Sequence, residues 1–435
     1  MVRHIIGITL TILLSGCMVN SANRVSTSDT LLLDPSIPEN KLTSPLVRQF
    51  LSDPEITRLI FAKNEEKLQL DLLVAELEPM VTASSSAGGI IEDDDQGLSG
   101  TVQVGLSKDA DLSNLFDVKK DIIENDVIIS NGELIRALNL KIHAVLVAVN
   151  SLSTVDHKIE ILQQGMQEYS NVKKLIDKSH QVGVITKGQY LKIQGQLNDI
   201  EMTLENLELQ KENAKQTLSI ELGKNYQDFL PVFNEGLSKI KAASFDKSLD
   251  DSVLKLNTAI LDNINNNIIL EEKSKLWSGA YKVSLSSVIG GDVTGFLGIN
   301  LSKPVYDGGR SKARIALLQS KRLQAEAEEK KVYKKVDLAF NSQQANKSTA
   351  KKQASLFSEK LEDLLAIKED LEVRQNSGKA QLEDVAQNHL DIANVKIQVI
   401  EADSLLLNSK IDYVLLQQRA YDYILTGNEM AQIIK

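Results

Sequence analysis

The sequence contains few of the residues that build compact cores. Among its 435 residues there is one Trp, and aromatic residues make up 4%, whereas aromatic side chains usually dominate a globular interior. Proline is scarce as well, at 7 residues, so little interrupts long helices. The formal net charge is −10 and no basic stripe stands out, which argues against binding to a phosphate backbone. The composition predicts long helices packed in a thin wall, in a chain with no nucleic-acid partner.

Reactive and metal-binding residues are equally sparse. The five histidines are scattered without the spacing that would place two ligands on one helix face, and the single cysteine rules out paired-cysteine metal motifs. The sequence also lacks a phosphate-binding loop, a zinc-protease motif and the nucleophile motif of serine hydrolases. We therefore predict no enzyme activity, no metal site and no cofactor.

The one cysteine lies where a lipid would be attached. A positively charged start is followed by an apolar run over residues 5–14, too short to span a bilayer, and then by Leu-Ser-Gly-Cys ending at Cys17. This order resembles the bacterial lipoprotein box. It predicts a signal peptide over residues 1–16, an N-terminal lipid on Cys17 and a Ser- and Pro-containing tether over residues 17–48. An apolar N-terminus with an accidental cysteine is the alternative.

Two segments have the two-residue period of strands with one apolar face. They predict β-hairpins over residues 81–107 and 281–303. Each is followed by apolar residues at steps of three and four, which predict long helices over 108–180 and 308–376 and returning helices over 184–223 and 379–426. Over 70 residues such a helix is about 105 Å long, at about 1.5 Å per residue.

The two halves share one spacing. Leu301 lies 195 residues after Leu106, in matching Leu-Ser-Lys strings, and Gly378 lies 195 residues after Gly183. We expect an internal duplication, with a first repeat over 49–240 and a second over 241–435. Four strands cannot close a barrel, which needs about eight or more, and open edges cannot face lipid. Several copies would have to combine their strands, and three copies give twelve.

At this point the residues resemble a family. Leu301–Arg310, LSKPVYDGGR, is similar to a signature of TolC-type outer-membrane factors placed between a strand and a long helix. Gly378–Val385 resembles the helix-tip segment of that family, and Phe50–Ile56 the first helix of its lipidated members. The resemblance covers essentially the whole mature chain. It implies a mainly α protein with a small transmembrane β part: long coiled-coil helices in an α-barrel, and four strands per protomer in a trimeric twelve-stranded β-barrel.

The resemblance also implies partners and sites. The function would be that of an outer-membrane channel subunit in a tripartite efflux or type I secretion system, a passive exit duct in the outer membrane with its helical tunnel in the periplasm. The partners would be two further copies, outer-membrane lipid, a periplasmic adaptor protein and an inner-membrane ABC or proton-driven pump. The expected site residues are these: Pro304, Tyr306, Gly308 and Gly309 at the strand-to-helix junction; Val182, Gly183, Val184, Ser377, Gly378 and Lys379 at adaptor-docking tips; and Glu383, Asp384, Gln387 and Gln189 at the tunnel constriction.

Some residues depart from the family pattern, and other functions stay open. Gln387 stands where the family has its second tip aspartate, and Gln189 stands where some members carry Asp. An acidic ring at the entrance would favour cations, whereas an ordinary solvated helix face is the alternative for Glu383 and Asp384. The tips could likewise be plain helix connections. The competing functions are a lipidated periplasmic adaptor and a filament-forming coiled coil on the cell surface.

Overall fold

The computed structural model describes residues 44–92, 95–111, 113–244, 251–288, 293–377 and 381–434. Cys17, the predicted signal peptide and most of the predicted tether lie outside these ranges. The elements are, in chain order, α1 (Pro45–Leu51), α2 (Pro54–Ala75), β1 (Met80–Glu92), β2 (Asp95–Ala110), α3 (Leu115–Gln181), α4 (Lys187–Leu222), a 3-10 turn (Tyr226–Phe229), α5 (Leu230–Ala242), α6 (Asp251–Lys273), β3 (Ser278–Val288), β4 (Val293–Ser302), α7 (Arg310–Asn376), α8 (Leu382–Leu416), a 3-10 turn (Ala420–Tyr423) and α9 (Gly427–Ile434).

Helix boundaries differ from the prediction where capping side chains act. Helix α1 begins at Pro45, inside the predicted tether, and α2 begins after Asp53, whose carboxylate accepts hydrogen bonds from the amides of Glu55 and Ile56. Helix α3 begins at Leu115 instead of residue 108, because β2 continues to Ala110 and the Asp111 carboxylate caps the amides of Leu115 and Phe116.

The second returning helix is shorter than predicted. Helix α8 ends at Leu416, whereas the apolar pattern predicts helix up to residue 426. Gln418 has φ +57°, a left-handed conformation that stops an α-helix. The chain then makes the 3-10 turn and α9, whose Met430 and Ile433 are buried.

The four strands form one antiparallel sheet in the order β1-β2-β3-β4. Each hairpin pairs locally, and β2 joins β3 across the two halves of the chain, from Thr101 opposite Val288 to Ala110 opposite Gly279. The strands β1 and β4 are therefore the edges of the sheet. This mainly α architecture with a small four-stranded sheet confirms the predicted fold class for one protomer.

The helices form a wall of rows rather than a thick core. In its N-terminal half, near the sheet, helix α3 packs against α2 and α6. In its C-terminal half, away from the sheet, it packs against α4 and α8. Helix α7 packs against both α6 and α8. Each level thus has a row of four helices, with α4 or α2 at one end and α7 at the other. Part of α3 is apolar and long enough to cross a membrane, but 56% of that stretch is buried inside the protein, so core packing accounts for its character.

The two halves have matching dimensions. Helices α3 and α7 each contain 67 residues, so each is about 100 Å long at about 1.5 Å per residue. Leu115 and Arg310, where they begin, are 195 positions apart, and so are Gln181 and Asn376, where they end. Helices α4 and α8 begin with the same separation, at Lys187 and Leu382.

Candidate functional site

The sheet has one apolar and one polar face. Side chains alternate along each strand, and directly paired residues point to the same side, so the register assigns every residue to a face. On the polar face hydroxyl groups of neighbouring strands bond to each other, as between Ser86 and Thr101 at 2.6 Å and between Ser286 and Thr294 at 2.7 Å. The apolar face carries these exposed large side chains: Val81, Val102, Leu106, Tyr281, Val283, Leu285, Val293, Leu297, Ile299 and Leu301.

Such a sheet cannot be stable alone in water or in lipid. Its apolar face is exposed over most of its length, and the outer edges of β1 and β4 have no strand beside them within the described residues. A bilayer would cover the apolar face, but the unpaired backbone groups of the edges would then have no water to bond. Both edges therefore need further strands.

The edges of the helical wall are also apolar and uncovered. Exposed large side chains lie along α4 on one side and along α7 on the other, where no further helix follows in the row among the described residues. Exposed apolar surface of this extent marks a protein interface. These residues are Leu191, Met202, Leu209 and Ile220 of α4, and Leu317, Leu323, Tyr333, Leu338, Leu356, Leu365, Ile367 and Val373 of α7.

The predicted strand-to-helix junction is a compact cap for α7. Strand β4 ends at Ser302, and Pro304 follows. The Asp307 carboxylate accepts hydrogen bonds from the backbone amides of Gly309 at 2.8 Å and Ser311 at 3.0 Å. The hydrogen bond from the Ser311 hydroxyl, together with these two amide bonds, lowers the pKa of Asp307 to about 2. Gly308 has φ +66° and Gly309 has φ +82°, values at which a residue with a side chain would be strained.

Two side chains of this junction are almost completely exposed. Val305 is 97% exposed and Tyr306 is 89% exposed, although both could contribute to an apolar core. They follow β4, the edge strand, so they lie at the same border of the protomer as the exposed residues of α7. The junction therefore presents apolar surface where a neighbouring chain could cover it.

The first helical hairpin ends in a rigid tip with two exposed valines. Val182 and Val184 are each 74% exposed, and Gly183 between them has φ +76°. The loop closes through a hydrogen bond from the Val184 amide to the Ser179 carbonyl at 2.8 Å. Thr186 then starts α4 with a capping box. At the second tip Ser377 is exposed, whereas Gly378 and Lys379 lie outside the described residues.

The structure brings three of the four predicted constriction residues into hydrogen-bonded pairs between α4 and α8. Glu383 accepts a hydrogen bond from the Gln189 amide at 3.4 Å and an ion-paired one from Lys192 at 2.8 Å. The bond from Lys192 lowers the pKa of Glu383 despite partial burial, and Glu383 raises the pKa of Lys192. Gln387 accepts a hydrogen bond from Gln196.

Asp384, the fourth of these residues, is exposed, whereas the side chain of Glu383 beside it is 25% exposed and is ion-paired with Lys192. The two carboxylates thus differ in surroundings: one is neutralised within the protomer, and the other is open to solvent or to another chain. No cluster of three or more metal-ligating side chains occurs in the part of the chain that the structure describes.

Comparison with known proteins gives matches by structure. No protein-family profile matches the sequence, and no curated protein matches it. The solved structure of the Campylobacter jejuni CmeC outer membrane channel superposes with a TM-score of 0.71 at 15% identity, over 90% of this chain and 88% of that chain. The outer membrane protein VceC of Vibrio cholerae gives 0.72 at 11% identity, over 86% and 95%. A membrane protein from Pseudomonas aeruginosa gives 0.72 at 14% identity, over 88% and 92%.

This chain has the TolC-type outer-membrane factor fold. The similarity covers 86–90% of this chain and 88–95% of those two chains, so it is a similarity of the whole fold. At such low identity it concerns the fold, and the residues of each site have to be judged on the contacts found in this chain.

Within the TolC-type fold, sequence reasoning missed two residues that contact the predicted constriction residues. Lys192 and Gln196 hold Glu383 and Gln387, and neither carries a family motif. A signal for Lys192 did exist, because it lies 195 positions before Gln387, the spacing that separates the two matching Leu-Ser-Lys strings. Applying the internal spacing to every candidate residue would have identified it.

Proposed function

We propose that the chain is one subunit of a homotrimeric outer-membrane channel that serves as a passive exit duct. The observation that carries this proposal is the sheet with one apolar face, one polar face and two unpaired edges. Three copies joined edge to edge would give twelve strands, an even number of the size that transmembrane barrels use. The apolar face would meet lipid, and the polar face would line the lumen.

The helical wall supports the same assembly. Pairing the α7 edge of one copy with the α4 edge of the next would cover the apolar side chains on both and would continue the row of helices around a tunnel. The equal lengths of α3 and α7, and their separation by 195 positions, support an internal duplication. A trimer of duplicated chains would have six similar hairpins around its axis.

Dimensions support an outer-membrane location with a periplasmic tunnel. The strands have 10 to 16 residues, and about 9–11 tilted residues cross a bilayer. Helices of about 100 Å would then extend far from the membrane. The solved structures of similar fold include proteins described as outer membrane channels, among them the open state of the Neisseria gonorrhoeae MtrE channel.

The cargo would be delivered at the helical tips. We propose that Val182, Gly183, Val184 and the second tip at Ser377 contact a periplasmic adaptor, coupled to an inner-membrane ABC or proton-driven pump in an efflux or type I secretion system. Exposed valines on a rigid loop are a suitable docking surface because little conformational freedom is lost on binding. An N-terminal lipid on Cys17 would add a membrane anchor.

The alternative of a periplasmic adaptor is not favoured by any contact in this structure. An adaptor of that class has one helical hairpin beside a small β-rich domain, whereas this chain has two helical hairpins that share one sheet.

The experiment is purification of the full chain in detergent, followed by light scattering and planar-bilayer recording. We expect a particle of three chains of 48.0 kDa each, before lipid and detergent are added, and stepwise ion currents. Recovery in outer-membrane fractions is expected as well. A water-soluble monomer, or a protein in the inner-membrane fraction without currents, would contradict the proposal.

A matched pair of variants tests the orientation of the sheet. Leu297 lies on the apolar face and Asn300 on the polar face of the same strand. Leu297→Lys should lower membrane assembly, because a Lys facing lipid costs about 2–4 kcal/mol near the bilayer midplane. Asn300→Lys should assemble normally. Equal assembly of the two variants would show that the faces are assigned wrongly.

A further inference from the structure

We propose that the three Phe296 side chains of a trimer, one from each copy, form an aromatic belt that sets the lumen width of the β-barrel at their level. The inference rests on the proposed trimer, because only a closed barrel turns the polar face into a lumen. Phe296 belongs to that face: it is directly opposite Ser284, which is opposite Gly105, which is opposite Thr82. Across the four strands this level thus has three small residues and one large one.

Phe296 is an exception on its face. The side chains described there in mid-strand are otherwise small or polar, and the register places further large apolar residues at strand ends, such as Met80 at the helical end of β1 and Val288 at the far end of β3. Phe296 is 57% exposed within the protomer, so the sheet does not bury it. More than half of this apolar side chain is thus exposed on a surface of hydroxyl and amide groups.

Gly298 explains where the ring lies. It is two residues beyond Phe296, so it shares the same face, and a Cβ atom on Gly298 would be 2.5 Å from Cζ and 2.7 Å from Cε1 of Phe296. The ring therefore lies along the wall over Gly298. A side chain at position 298 would therefore displace the ring, and we expect it to move away from the wall, where the polar face is open.

The dimensions make this position important for passage. Twelve strands about 4.8 Å apart and tilted by about 40° give a backbone radius of about 12 Å. A Phe ring lying on the wall leaves a free radius of about 8 Å, and a ring standing upright leaves about 5–6 Å. Three such rings per barrel would thus narrow the lumen at the level of Phe296 and offer the cargo an aromatic surface.

Two variants with opposite expected effects test the proposal. Phe296→Ala should widen the lumen by about 1–2 Å in radius, and Gly298→Val should narrow it by about 2–3 Å by raising the ring. The control is Leu297→Ala, between them on the lipid-facing side, which should change nothing. The measurement is the largest polyethylene glycol that enters the channel when added only at the strand end, because polymer from that side meets Phe296 before it reaches the helical entrance.

Thiol labelling covers the case in which Gly298→Val does not assemble. Phe296→Cys should react with a charged, membrane-impermeant thiol reagent added at the strand end, with a drop in current, whereas Leu297→Cys should not. The natural sequence has only Cys17, so the thiol background is low. Unchanged polymer limits in Phe296→Ala, or no labelling of Phe296→Cys in channels that conduct, would overturn the inference alone. Absence of any channel from the natural sequence would instead overturn the proposed function.

Discussion

Replacement of Lys141 tests how the N-terminal helices are held to the long helices. Lys141 of α3 bonds to Asp53 before α2 at 2.5 Å and to Glu221 of α4 at 3.2 Å, and its side chain is only 9% exposed. Lys141→Met would keep most of the packing volume and leave two carboxylates facing each other without a cation. Removing one partner of a buried ion pair costs about 3–5 kcal/mol. Since the carboxylates are 21% and 27% exposed, we expect a loss of about 2–3 kcal/mol.

The loss should depend on pH in a defined direction. Burial alone would raise the pKa of Asp53, but the bonds from Lys141 and from the amides of Ile56 and Glu55 lower it below its ordinary value of 3.8. A carboxylate whose pKa is lowered by folding stabilises the folded state at pH values above its ordinary pKa of 3.8. This stabilisation is lost as the pH falls through the lowered pKa. The difference between Lys141→Met and the natural sequence should therefore be largest near pH 7 and smaller near pH 3.

The assay is guanidinium unfolding in detergent, followed by circular dichroism at both pH values. The control is Lys120→Met on the same helix, where the pair with Glu124 is about half exposed and should contribute less than about 1 kcal/mol. Equal unfolding midpoints for Lys141→Met and Lys120→Met at pH 7 would refute the reasoning, as would a difference that does not shrink in acid.

Three further predictions concern the entrance and the junction. Lys192→Ala should loosen the contact between α4 and α8 at the proposed entrance and raise single-channel conductance. Glu383→Gln should change conductance in the same direction. Unchanged currents in both variants would show that this ion pair does not control the entrance. Asp384→Ala should reduce cation selectivity in reversal-potential measurements, whereas equal selectivity would favour a plain solvated helix face. Gly309→Ala, at φ +82°, should lower the free energy of unfolding by about 1 kcal/mol. Asn114→Gly, at φ +51° and 195 positions earlier, should raise it by up to about 1 kcal/mol. Thermal unfolding measures both, and changes of the opposite sign would contradict the backbone explanation.

The sequence predicts the elements of this fold better than their ends. Apolar residues spaced by two predict the hairpins, and apolar residues spaced by three or four predict the long helices. Both patterns extend over many residues, so no single residue decides them. Their boundaries depend on single capping groups, as at Asp111, which the pattern does not distinguish from other acidic residues. At Gln418 one polar residue interrupts the apolar pattern, and the helix ends at Leu416, two residues before it.

Another interruption of the same pattern has the opposite outcome. Ser404 lies inside α8 and does not end it, because its hydroxyl accepts hydrogen bonds from Thr154 at 2.9 Å and Asn150 at 3.2 Å across the interface with α3. Asn150 also donates to Asn408 at 2.8 Å. A polar residue in an apolar row can thus end a helix or complete a buried network, depending on the partner that the fold supplies.

Contacts at the site are the least predictable from the sequence. The pairing of Lys192 with Glu383 depends on how α4 and α8 are rotated about their axes, and the helical periods alone leave that rotation undetermined. The position of Phe296 over Gly298 depends on the side-chain rotamer. Period-two alternation assigns Phe296 to the polar face, but the space that Gly298 leaves becomes visible only in three dimensions.

The two open borders of each protomer have a genetic consequence. In the proposed trimer each copy pairs with a neighbour at both of its edges. One subunit with a substitution that prevents pairing at one edge therefore prevents closure of the whole trimer. When a damaged and a natural chain are made in equal amounts and mix freely, about one ring in eight contains natural chains only. Substitutions along β4 or α7 that leave the chain folded should therefore behave as dominant mutations, whereas those that prevent folding should be recessive.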